Sequence, residues 1–419
     1  MSQRVVVVGG GIIGVSAAYH LARRGAEVTL LERDRLAGAA SFGNAGTVSA
    51  GHPPLNKPGR VLRALVQMAD PTSPLYIQPR WDPGLWRWLL DFAVHCTDAH
   101  VRACMDVMSP LGLEALRLFE ESLEEEGIEC GYRRDGYFDV CRTERGLKDA
   151  THEAALIAER GYHPQVLDSG SLLEAEPALS RDVVGGVFYP EASTLDPYRY
   201  AVGLADGARR LGVAIREGVE AIDVVLESGS PRGVRLAGGE VVEGDGVVLA
   251  TGPFSLGLAR RLGTRLPVQP GKGYHRDVPV GAGGAPPLRI ACVINEHSVF
   301  CTPMGGYVRF AGTMEFSGLN HRMHRSRLDQ LTRAAGRVFP GLEAKAPLSE
   351  WCGLRPVSSD GLPIVGPLGG IRGVVAATGH GMLGLTLGPV TGRLVADWIV
   401  DGGTEPLWAR LSPERFSKG

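Results

Sequence analysis

The hydrophobic pattern at the start of the chain predicts a strand, a turn, a helix and a second strand. Residues 5–8 form a short β-branched run without polar interruption, which is typical of a strand buried on both faces. Residues 12–24 carry apolar side chains at helical spacing and end before Gly25, a residue that favours helix termination. Residues 28–31 form the second apolar run. A βαβ start of this kind predicts a parallel sheet with a right-handed crossover.

The rest of the chain alternates between helical and strand-like periods. Residues 52–83 are rich in proline and lack periodicity, so they are predicted to form a long irregular connection. Helices are predicted at 85–94, 109–126, 197–211 and 322–338, and a last one ends near residue 399. Strands are predicted at 136–140, 184–189, 213–216, 221–226, 233–236, 240–242, 247–250 and 374–377.

Composition narrows the class of protein. The 419 residues are 44% hydrophobic and 21% charged, which is ordinary for a globular protein of two or three domains. Lys and Arg total 44 against 46 Asp and Glu, so the chain lacks the positive charge typical of nucleic-acid binders. The seven cysteines are scattered without a CxxC pair, which disfavours a disulfide framework or metal site and predicts a reducing, cytoplasmic location.

The turn after the first strand matches GxGxxG at Gly9, Gly11 and Gly14. The first glycine permits the turn, the second lets the backbone approach a pyrophosphate, and the third lets helix and strand pack closely. The helix N-terminus then offers free N–H groups to the phosphates. Glu32 follows the second strand, where a carboxylate accepts hydrogen bonds from a ribose diol and repels a 2′-phosphate. The sequence therefore predicts a dinucleotide site, although this motif does not separate NAD from FAD.

Two further glycine-rich segments favour FAD. Residues 41–46 (SFGNAG) place small residues and hydrogen-bonding side chains directly after the second strand, where an extended dinucleotide would continue. Residues 379–384 (GHGMLG) open the last helix, whose N-terminus could stabilise negative charge at the N1–C2=O edge of a flavin. An ordinary strand-turn-helix connection is the alternative interpretation of the second segment.

These motifs, with others downstream, resemble a known family. The matching segments are VLATG at 248–252, PGKGY at 270–274, WCGLRP at 351–356, DGLPIVG at 360–366 and GHG at 379–381. With them the chain resembles the D-amino-acid oxidase-like FAD-dependent oxidoreductases, which include glycine oxidase, sarcosine oxidases and bacterial D-amino-acid dehydrogenases. The segments 41–51 and 351–356 are most similar to the D-amino-acid dehydrogenase branch.

The resemblance implies an α/β fold with a Rossmann-like FAD-binding domain and a second, α+β substrate domain built on an antiparallel sheet. It implies that each domain is assembled from separate segments. The FAD-binding segments are then 1–60, 181–265 and 346–419, and the substrate segments are 61–180 and 266–345.

The motifs and the resemblance together predict the cofactor-binding residues. These are expected to be Gly9, Gly11, Ile12, Ile13, Gly14, Glu32, Arg33, Ser41, Asn44, Ala45, Gly46, Val219, Thr251, Gly252, Gly353, His380, Gly381, Met382, Leu383 and Gly384.

Arg355 is the main candidate for substrate binding. In glycine and D-amino-acid oxidases the arginine of the corresponding Gly-Leu-Arg-Pro element binds the substrate carboxylate. A guanidinium can grip a carboxylate through two parallel hydrogen bonds and stays charged at any working pH. The alternative is a structural ion pair with an acid such as Asp360. Tyr274, Tyr307 and His52 are further candidates for lining the substrate site, although core or surface roles remain open for each.

The resemblance implies oxidation of the C–N bond of a D-amino or cyclic imino acid, by hydride transfer to flavin N5. The imino product would hydrolyse to a 2-oxo acid. A secondary amine such as sarcosine, hydroxyproline or an opine is the alternative substrate, since residues 194–197 (TLDP) look more like the oxidase-type relatives. A nucleotide-binding subunit without enzymatic activity is a further alternative.

The electron acceptor is expected to be a quinone, another carrier or O2, with possible peripheral contact to the inner membrane face. Five arginines of the basic helix could contact anionic lipid headgroups, although a solvated face is the simpler interpretation. They are Arg322, Arg325, Arg327, Arg333 and Arg337.

Overall fold

The computed structural model describes residues 3–68, 70–71, 73–280, 288–340, 342, 346–403 and 409–416. Within these residues the chain forms twenty strands and ten α-helices, numbered in chain order. The strands are β1 (Arg4–Val8), β2 (Glu27–Leu31), β3 (Thr47–Val48), β4 (Leu75–Ile77), β5 (Tyr137–Cys141), β6 (Gln165–Asp168), β7 (Gly185–Tyr189), β8 (Ser193–Thr194), β9 (Ala214–Arg216), β10 (Ala221–Glu227), β11 (Ser230–Leu236), β12 (Val241–Glu243), β13 (Gly246–Leu249), β14 (Val268–Pro279), β15 (Ala291–Ile294), β16 (Val299–Pro303), β17 (Tyr307–Phe316), β18 (Ser349–Ser358), β19 (Ile364–Pro367) and β20 (Val374–Thr378). The helices are α1 (Ile12–Arg23), α2 (Arg60–Gln67), α3 (Pro83–Val94), α4 (Asp98–Glu126), α5 (Glu144–Ala158), α6 (Ser169–Ala175), α7 (Pro197–Arg210), α8 (Ser255–Arg261), α9 (Arg325–Gly336) and α10 (Gly384–Asp401).

The first of two large sheets has six strands, in the order β19-β20-β13-β1-β2-β9. Its strands run parallel except β19, which is antiparallel to β20. Helices α1, α4, α7 and α10 cover one face through a continuous apolar cluster, and the small β10-β11-β12 sheet covers the other. Because both faces are covered, the valines of β1 are buried on both sides, as their uninterrupted run predicts. This is the expected Rossmann-like unit.

The second large sheet is mixed, mostly antiparallel, and has nine strands, in the order β18-β14-β17-β16-β15-β5-β7-β6, with β4 added to β17. One face packs an apolar cluster that includes α6 and α9. On the other face, residues paired on adjacent strands form one row across the sheet, which we name the register row: Asp139–Val293–Phe300–Ala311–His275–Trp351. The two sheets together confirm the predicted fold class, and this second face positions the site described below.

The sequence prediction fails locally in several places. Residues 52–83 are not wholly irregular, since α2 and β4 lie there. β4 has only three residues and exists because it pairs with the main chain of β17, a tertiary contact that local pattern cannot reveal. Helix α4 begins eleven residues earlier than predicted, at Asp98, and continues through Pro110. Helices α5, α6 and α8 and strands β14 to β19 are not predicted at all.

Two predicted domain boundaries divide the sheets differently from the structure. Strands β7 and β18 belong to the nine-stranded sheet, although boundaries at 180/181 and 345/346 put their residues in FAD-binding segments. The second boundary adjoins residues 343–345, which lie outside the described residues. β18 pairs with β14 along its whole length, and the chain then enters the six-stranded sheet at β19. No change in amino-acid composition indicates where one sheet ends and the other begins. The division into domains stays a prediction.

The basic helix is not a uniformly solvated face. Arg327 on α9 is buried, and its guanidinium donates to the carbonyl of Met314 and lies 3.4 Å from the Glu315 carboxylate. Arg325 lies within 4 Å of Asp329 and Glu350. The expectation that Arg327 is free to meet lipid headgroups is therefore wrong, because a buried carboxylate holds it inside.

Candidate active site

A cavity of about 1470 Å³ lies between the two sheets. From the six-stranded sheet, the carboxyl ends of β1, β2, β13 and β20 reach it, which is where open parallel sheets bind ligands. From the nine-stranded sheet, the residues of the register row other than His275 line it, and so do Thr313 and Arg355. One continuous space therefore joins a dinucleotide-type turn to a set of polar side chains on a β surface.

The glycine turn at the end of β1 is built for close backbone approach. Gly9 has φ +107°, and a Cβ there would lie 2.5 Å from the carbonyl oxygen of Ala250. A Cβ on Gly14 would lie 1.8 Å from the carbonyl oxygen of Gly9, so α1 can pack on β1 only with glycine at that position. The backbone N–H of Ile12 donates to Ser41 Oγ at 2.9 Å. The start of α1 therefore faces the cavity with little side-chain bulk around it.

The carboxylate of Glu32 is fixed at the end of β2. It accepts hydrogen bonds from the backbone N–H groups of Gly10, at 2.6 Å, and Asp34, at 2.8 Å. The side chain lines the cavity beside Arg33 and Val219. An anchored carboxylate at this position suits the ribose diol that the sequence predicts as its partner.

The start of α10 forms another wall of the cavity. Residues 381–385 line it, and the residue before the helix, Leu383, provides no side-chain cap. His380 shares a hydrogen bond of 3.0 Å between Nε2 and Thr391 Oγ1, while its Nδ1 is buried without a partner among the described residues. Burial lowers the pKa of His380 to about 3, so the ring is neutral. An uncapped helix N-terminus is a favourable environment for negative charge.

These features fit FAD. The cavity connects the glycine turn, the Glu32 carboxylate and the start of α10. The absence of a side chain at Gly9 leaves room for a ligand to approach the backbone of the turn. Of the predicted cofactor-binding residues, those on the cavity wall are Gly9, Gly11, Ile12, Ile13, Glu32, Arg33, Ser41, Asn44, Ala45, Val219, Thr251, Gly252, Gly353, His380, Gly381, Met382, Leu383 and Gly384. Gly14 and Gly46 lie behind the wall instead. Gly46 packs against Met304 and the carbonyl of Leu195, with φ +79°.

The guanidinium of Arg355 lies across a neighbouring strand. Its β18 backbone pairs with Gly271 on β14, and a Cβ on Gly273 would lie 2.2 Å from Arg355 Cζ. Glycine at 273 therefore lets the arginine side chain cross β14 and reach β17, where Nη1 donates to the carbonyl of Thr313 at 2.7 Å.

No carboxylate of the described residues pairs with Arg355. Asp360, the alternative partner, binds Arg415 at 2.7 Å instead. Burial and, secondarily, the charge of Arg327 lower the pKa of Arg355 to about 10, so it stays protonated at neutral pH. A partly buried cation on a cavity wall, with no carboxylate beside it, is a favourable site for an anionic ligand.

The three other substrate-site candidates fall in different places. Tyr274 does not line the cavity, since it points to the opposite face of β14, where its hydroxyl donates to Glu315 at 2.6 Å. Tyr307 also lies off the cavity wall, at the far end of β17 opposite Pro279. Strand alternation, which motif matching does not track, excludes Tyr274, whereas the position of Tyr307 at the end of its strand excludes Tyr307. His52 does line the cavity and hydrogen-bonds Tyr137, and burial lowers its pKa to about 4.

Three cavity residues escaped the sequence analysis. The indole of Trp351 lies between Gly43 and Gly353 and stacks on His275 with centroids 5.3 Å apart. Thr313 comes from a strand with no recognisable motif. Asp139 lies at one end of the register row, near the Lys57–Glu153 ion pair. Only Trp351 had a sequence signal, as the first residue of WCGLRP.

Asp139 should make the stability of the protein pH-dependent near neutrality. Burial raises its pKa to about 7, although Asn295 donates to one oxygen at 2.8 Å. The pKa of Asp139 is higher in the folded protein than in the unfolded chain, so ionisation of this carboxyl destabilises the fold. The free energy of unfolding should therefore fall as the pH rises from about 4 through about 7.

We expect Asp139→Asn to stabilise the protein at pH 8 by on the order of 2 kcal/mol, and to lose that advantage toward pH 4. Urea unfolding at saturating FAD across this range measures it. Asp182→Asn, which neutralises an exposed carboxylate, is the control. An Asp139→Asn effect that does not vary with pH would refute the prediction.

Comparison with known proteins identifies the family. The profile of the FAD dependent oxidoreductases named DAO matches residues 4–398. The D-amino acid dehydrogenase of Methylobacterium nodulans is 36% identical, over 99% of this chain and 100% of the relative, and that of Xanthobacter autotrophicus is 34% identical, with the same coverage. Among solved structures, glycine oxidase from Geobacillus kaustophilus is 26% identical, with a TM-score of 0.76 over 99% of both chains. This chain belongs to the DAO family of FAD-dependent oxidoreductases.

Proposed function

We propose that the protein oxidises the C–N bond of a D-amino acid or cyclic imino acid. The observation that carries this proposal is the partly buried guanidinium of Arg355, which faces the cavity that fits FAD and pairs with no carboxylate of the described residues. The similarity to D-amino acid dehydrogenases over nearly the whole chain supports the same substrate class and favours the D-enantiomer.

Arg355 would hold the substrate by its carboxylate. Its Nη1 is committed to Thr313, which fixes the plane of the guanidinium and leaves the other N–H groups to grip a carboxylate. Holding that end fixes the α-carbon in one place, and orientation of this kind lowers the barrier. When bound, FAD supplies the acceptor for the hydride from that carbon. The imine product then hydrolyses in water, to a 2-oxo acid and ammonia from a primary amine and to a ring-opened product from a cyclic substrate.

The proposed oxidation does not require a general base from the cavity wall. His52 and His380 are weak bases, because burial lowers their pKa to about 4 and about 3, and each ring already hydrogen-bonds a neighbouring hydroxyl. A substrate whose amine enters neutral needs no proton removed before oxidation. Trp351, Phe300 and Leu354 line the cavity with apolar surface, which keeps water from the reacting carbon.

An anaerobic screen of flavin reduction tests the proposal. The purified yellow holoenzyme is mixed with both enantiomers of each amino acid, with D- and L-proline and hydroxyproline, and with glycine and sarcosine. We expect bleaching of the flavin bands by D-amino acids or D-proline and not by the L-enantiomers. Bleaching by sarcosine alone would show that the substrate is a secondary amine. Bleaching by none of the compounds would refute the proposal.

We propose further that the acceptor is a membrane quinone, reached through an exposed apolar surface. No helix of the described residues is long and apolar enough to cross a membrane. However, α3 exposes Trp86, Leu90 and Val94 along one side, and Leu62 of α2 and Trp81 are exposed as well. We name these five residues the α2–α3 patch. Trp86 and Leu90 also line the cavity, so the patch continues into it.

Positive charge accompanies the α2–α3 patch. The pKa of Arg265 is lowered by burial and then by the charges of Arg87 on α3 and Arg260, although Asp91 opposes them. Three neighbouring cations beside exposed tryptophan and leucine side chains suit an anionic lipid surface. The quinone would then enter from the lipid side.

Replacing Trp81 and Val94 together by serine should weaken membrane association roughly tenfold or more, since each removes a large exposed apolar group. Co-sedimentation with vesicles of phosphatidylglycerol and phosphatidylethanolamine measures it. Neither residue lines the cavity, so activity with a soluble dye acceptor should not change. Leu319→Ser with Leu348→Ser, two exposed leucines elsewhere, is the matched control. Equal sedimentation of both double variants and the wild type would contradict the proposal.

A further inference from the structure

Thr313 has an unusual backbone conformation for its residue type. Its φ is +58°, a left-handed value that β-branched residues rarely adopt because of steric strain. The register between β14 and β17 explains the geometry, since Lys272 pairs with Glu315 and Tyr274 with Gly312. Two steps along β14 therefore match three along β17, which places a β-bulge at Thr313 and Met314. Bulges next to active sites often re-aim a side chain.

The bulge brings two polar groups of Thr313 to the cavity beside Arg355. The carbonyl accepts the hydrogen bond from Arg355 Nη1 at 2.7 Å. The hydroxyl is buried, with the residue only 5% exposed, and has no hydrogen-bond partner among the described residues. Thr313 also lines the cavity. A buried hydroxyl without a partner is costly, and so is the backbone that places it there, which together require an explanation.

We infer that the Thr313 hydroxyl donates a hydrogen bond to the carboxylate of the substrate, next to the grip of Arg355; this rests on the proposed function. A carboxylate has about four acceptor sites, enough for two guanidinium N–H groups and one hydroxyl. The one hydrogen bond between Thr313 and Arg355 fixes the two donors relative to each other. The nearby Glu315 carboxylate does not compete, because Lys272 and Tyr274 already bind it.

The substitution Thr313→Val tests the inference because it removes the hydroxyl and keeps the β-branched shape. A hydrogen bond to a charged group is worth about a factor of ten, so the KM for a D-amino acid should rise roughly tenfold. The interaction is made in ground and transition states alike, so kcat should change little. Thr313→Ser should restore a KM near that of the wild type. Thr302→Val is the matched control, since Thr302 is buried in the neighbouring strand and does not line the cavity.

Benzoate, a carboxylate without an oxidisable C–N bond, separates this inference from the proposed function. Its binding to the wild-type holoenzyme is followed by perturbation of flavin absorbance. We expect the Kd of benzoate to rise roughly tenfold in Thr313→Val and to stay within about twofold in Thr302→Val. A wild-type enzyme that binds benzoate but is reduced by no amino acid would refute the proposed function, and the benzoate comparison would still decide the role of Thr313.

Thr313→Gly gives an independent readout. Glycine adopts positive φ without strain, so the melting temperature should rise while benzoate binding weakens as in Thr313→Val. If Thr313 served only the stability of the fold, its replacement by glycine would lower the melting temperature. Unchanged benzoate affinity in both Thr313→Val and Thr313→Gly would overturn the inference, and so would a wild-type holoenzyme that does not bind benzoate.

Discussion

Replacing Arg355 with alanine is expected to raise the KM for a D-amino acid by roughly tenfold to a hundredfold, while the protein keeps its FAD. The guanidinium is partly buried on the cavity wall, is protonated at neutral pH and pairs with none of the described carboxylates. It would supply charge-assisted hydrogen bonds to the substrate carboxylate, each worth about 1.5–3 kcal/mol. The catalytic constant should fall too, because a loosely held substrate loses orientation.

Steady-state kinetics with a soluble dye acceptor measure the effect of Arg355→Ala, and flavin absorbance checks the FAD content. Arg415→Ala is the control, because it removes a largely buried arginine that binds Asp360 and lies off the cavity wall. That variant should lose stability without a change in KM. A wild-type KM in Arg355→Ala would remove the arginine from substrate binding.

Replacing Gly14 with valine is expected to yield a protein that purifies without flavin and melts at a lower temperature. Even the first carbon of a side chain at 14 would lie 1.8 Å from the Gly9 carbonyl oxygen, so α1 must move away from β1. That movement destroys the turn that would hold the pyrophosphate. Overpacking typically costs about 1–3 kcal/mol, and we expect the FAD Kd to rise roughly a hundredfold or more.

Calorimetric titration of the apoprotein with FAD measures the affinity of the Gly14→Val variant. Gly306→Ala is the control, because a Cβ there meets no atom within 4 Å. It should bind FAD as the wild type does. A Gly14→Val protein that binds FAD normally would show that the cofactor is held elsewhere.

The sequence predicts the cofactor half of the site better than the substrate half, for a physical reason. The βαβ start is local: β1, the glycine turn, α1 and Glu32 lie within thirty residues, and each has a pattern of its own. All of the predicted cofactor-binding residues except Gly14 and Gly46 line the cavity. Those two glycines serve packing behind it, a distinction that needs coordinates.

The substrate half depends on register between distant strands. Tyr274 and Arg355 come from paired strands, yet their side chains lie on opposite faces, and only alternation along β14 and β18 separates them. Thr313 reaches the cavity through a bulge that no local pattern indicates. Asp139 has no motif, and its raised pKa arises from burial under the fold. These contacts are tertiary, so one sequence alone could not reveal them.

A crystal structure of the holoenzyme with benzoate tests most directly whether one cavity holds both FAD and a substrate carboxylate. We expect the FAD pyrophosphate at the start of α1 and the benzoate carboxylate on Arg355, with the Thr313 hydroxyl within hydrogen-bonding distance. FAD bound away from the glycine turn, or a carboxylate bound away from Arg355, would contradict this arrangement.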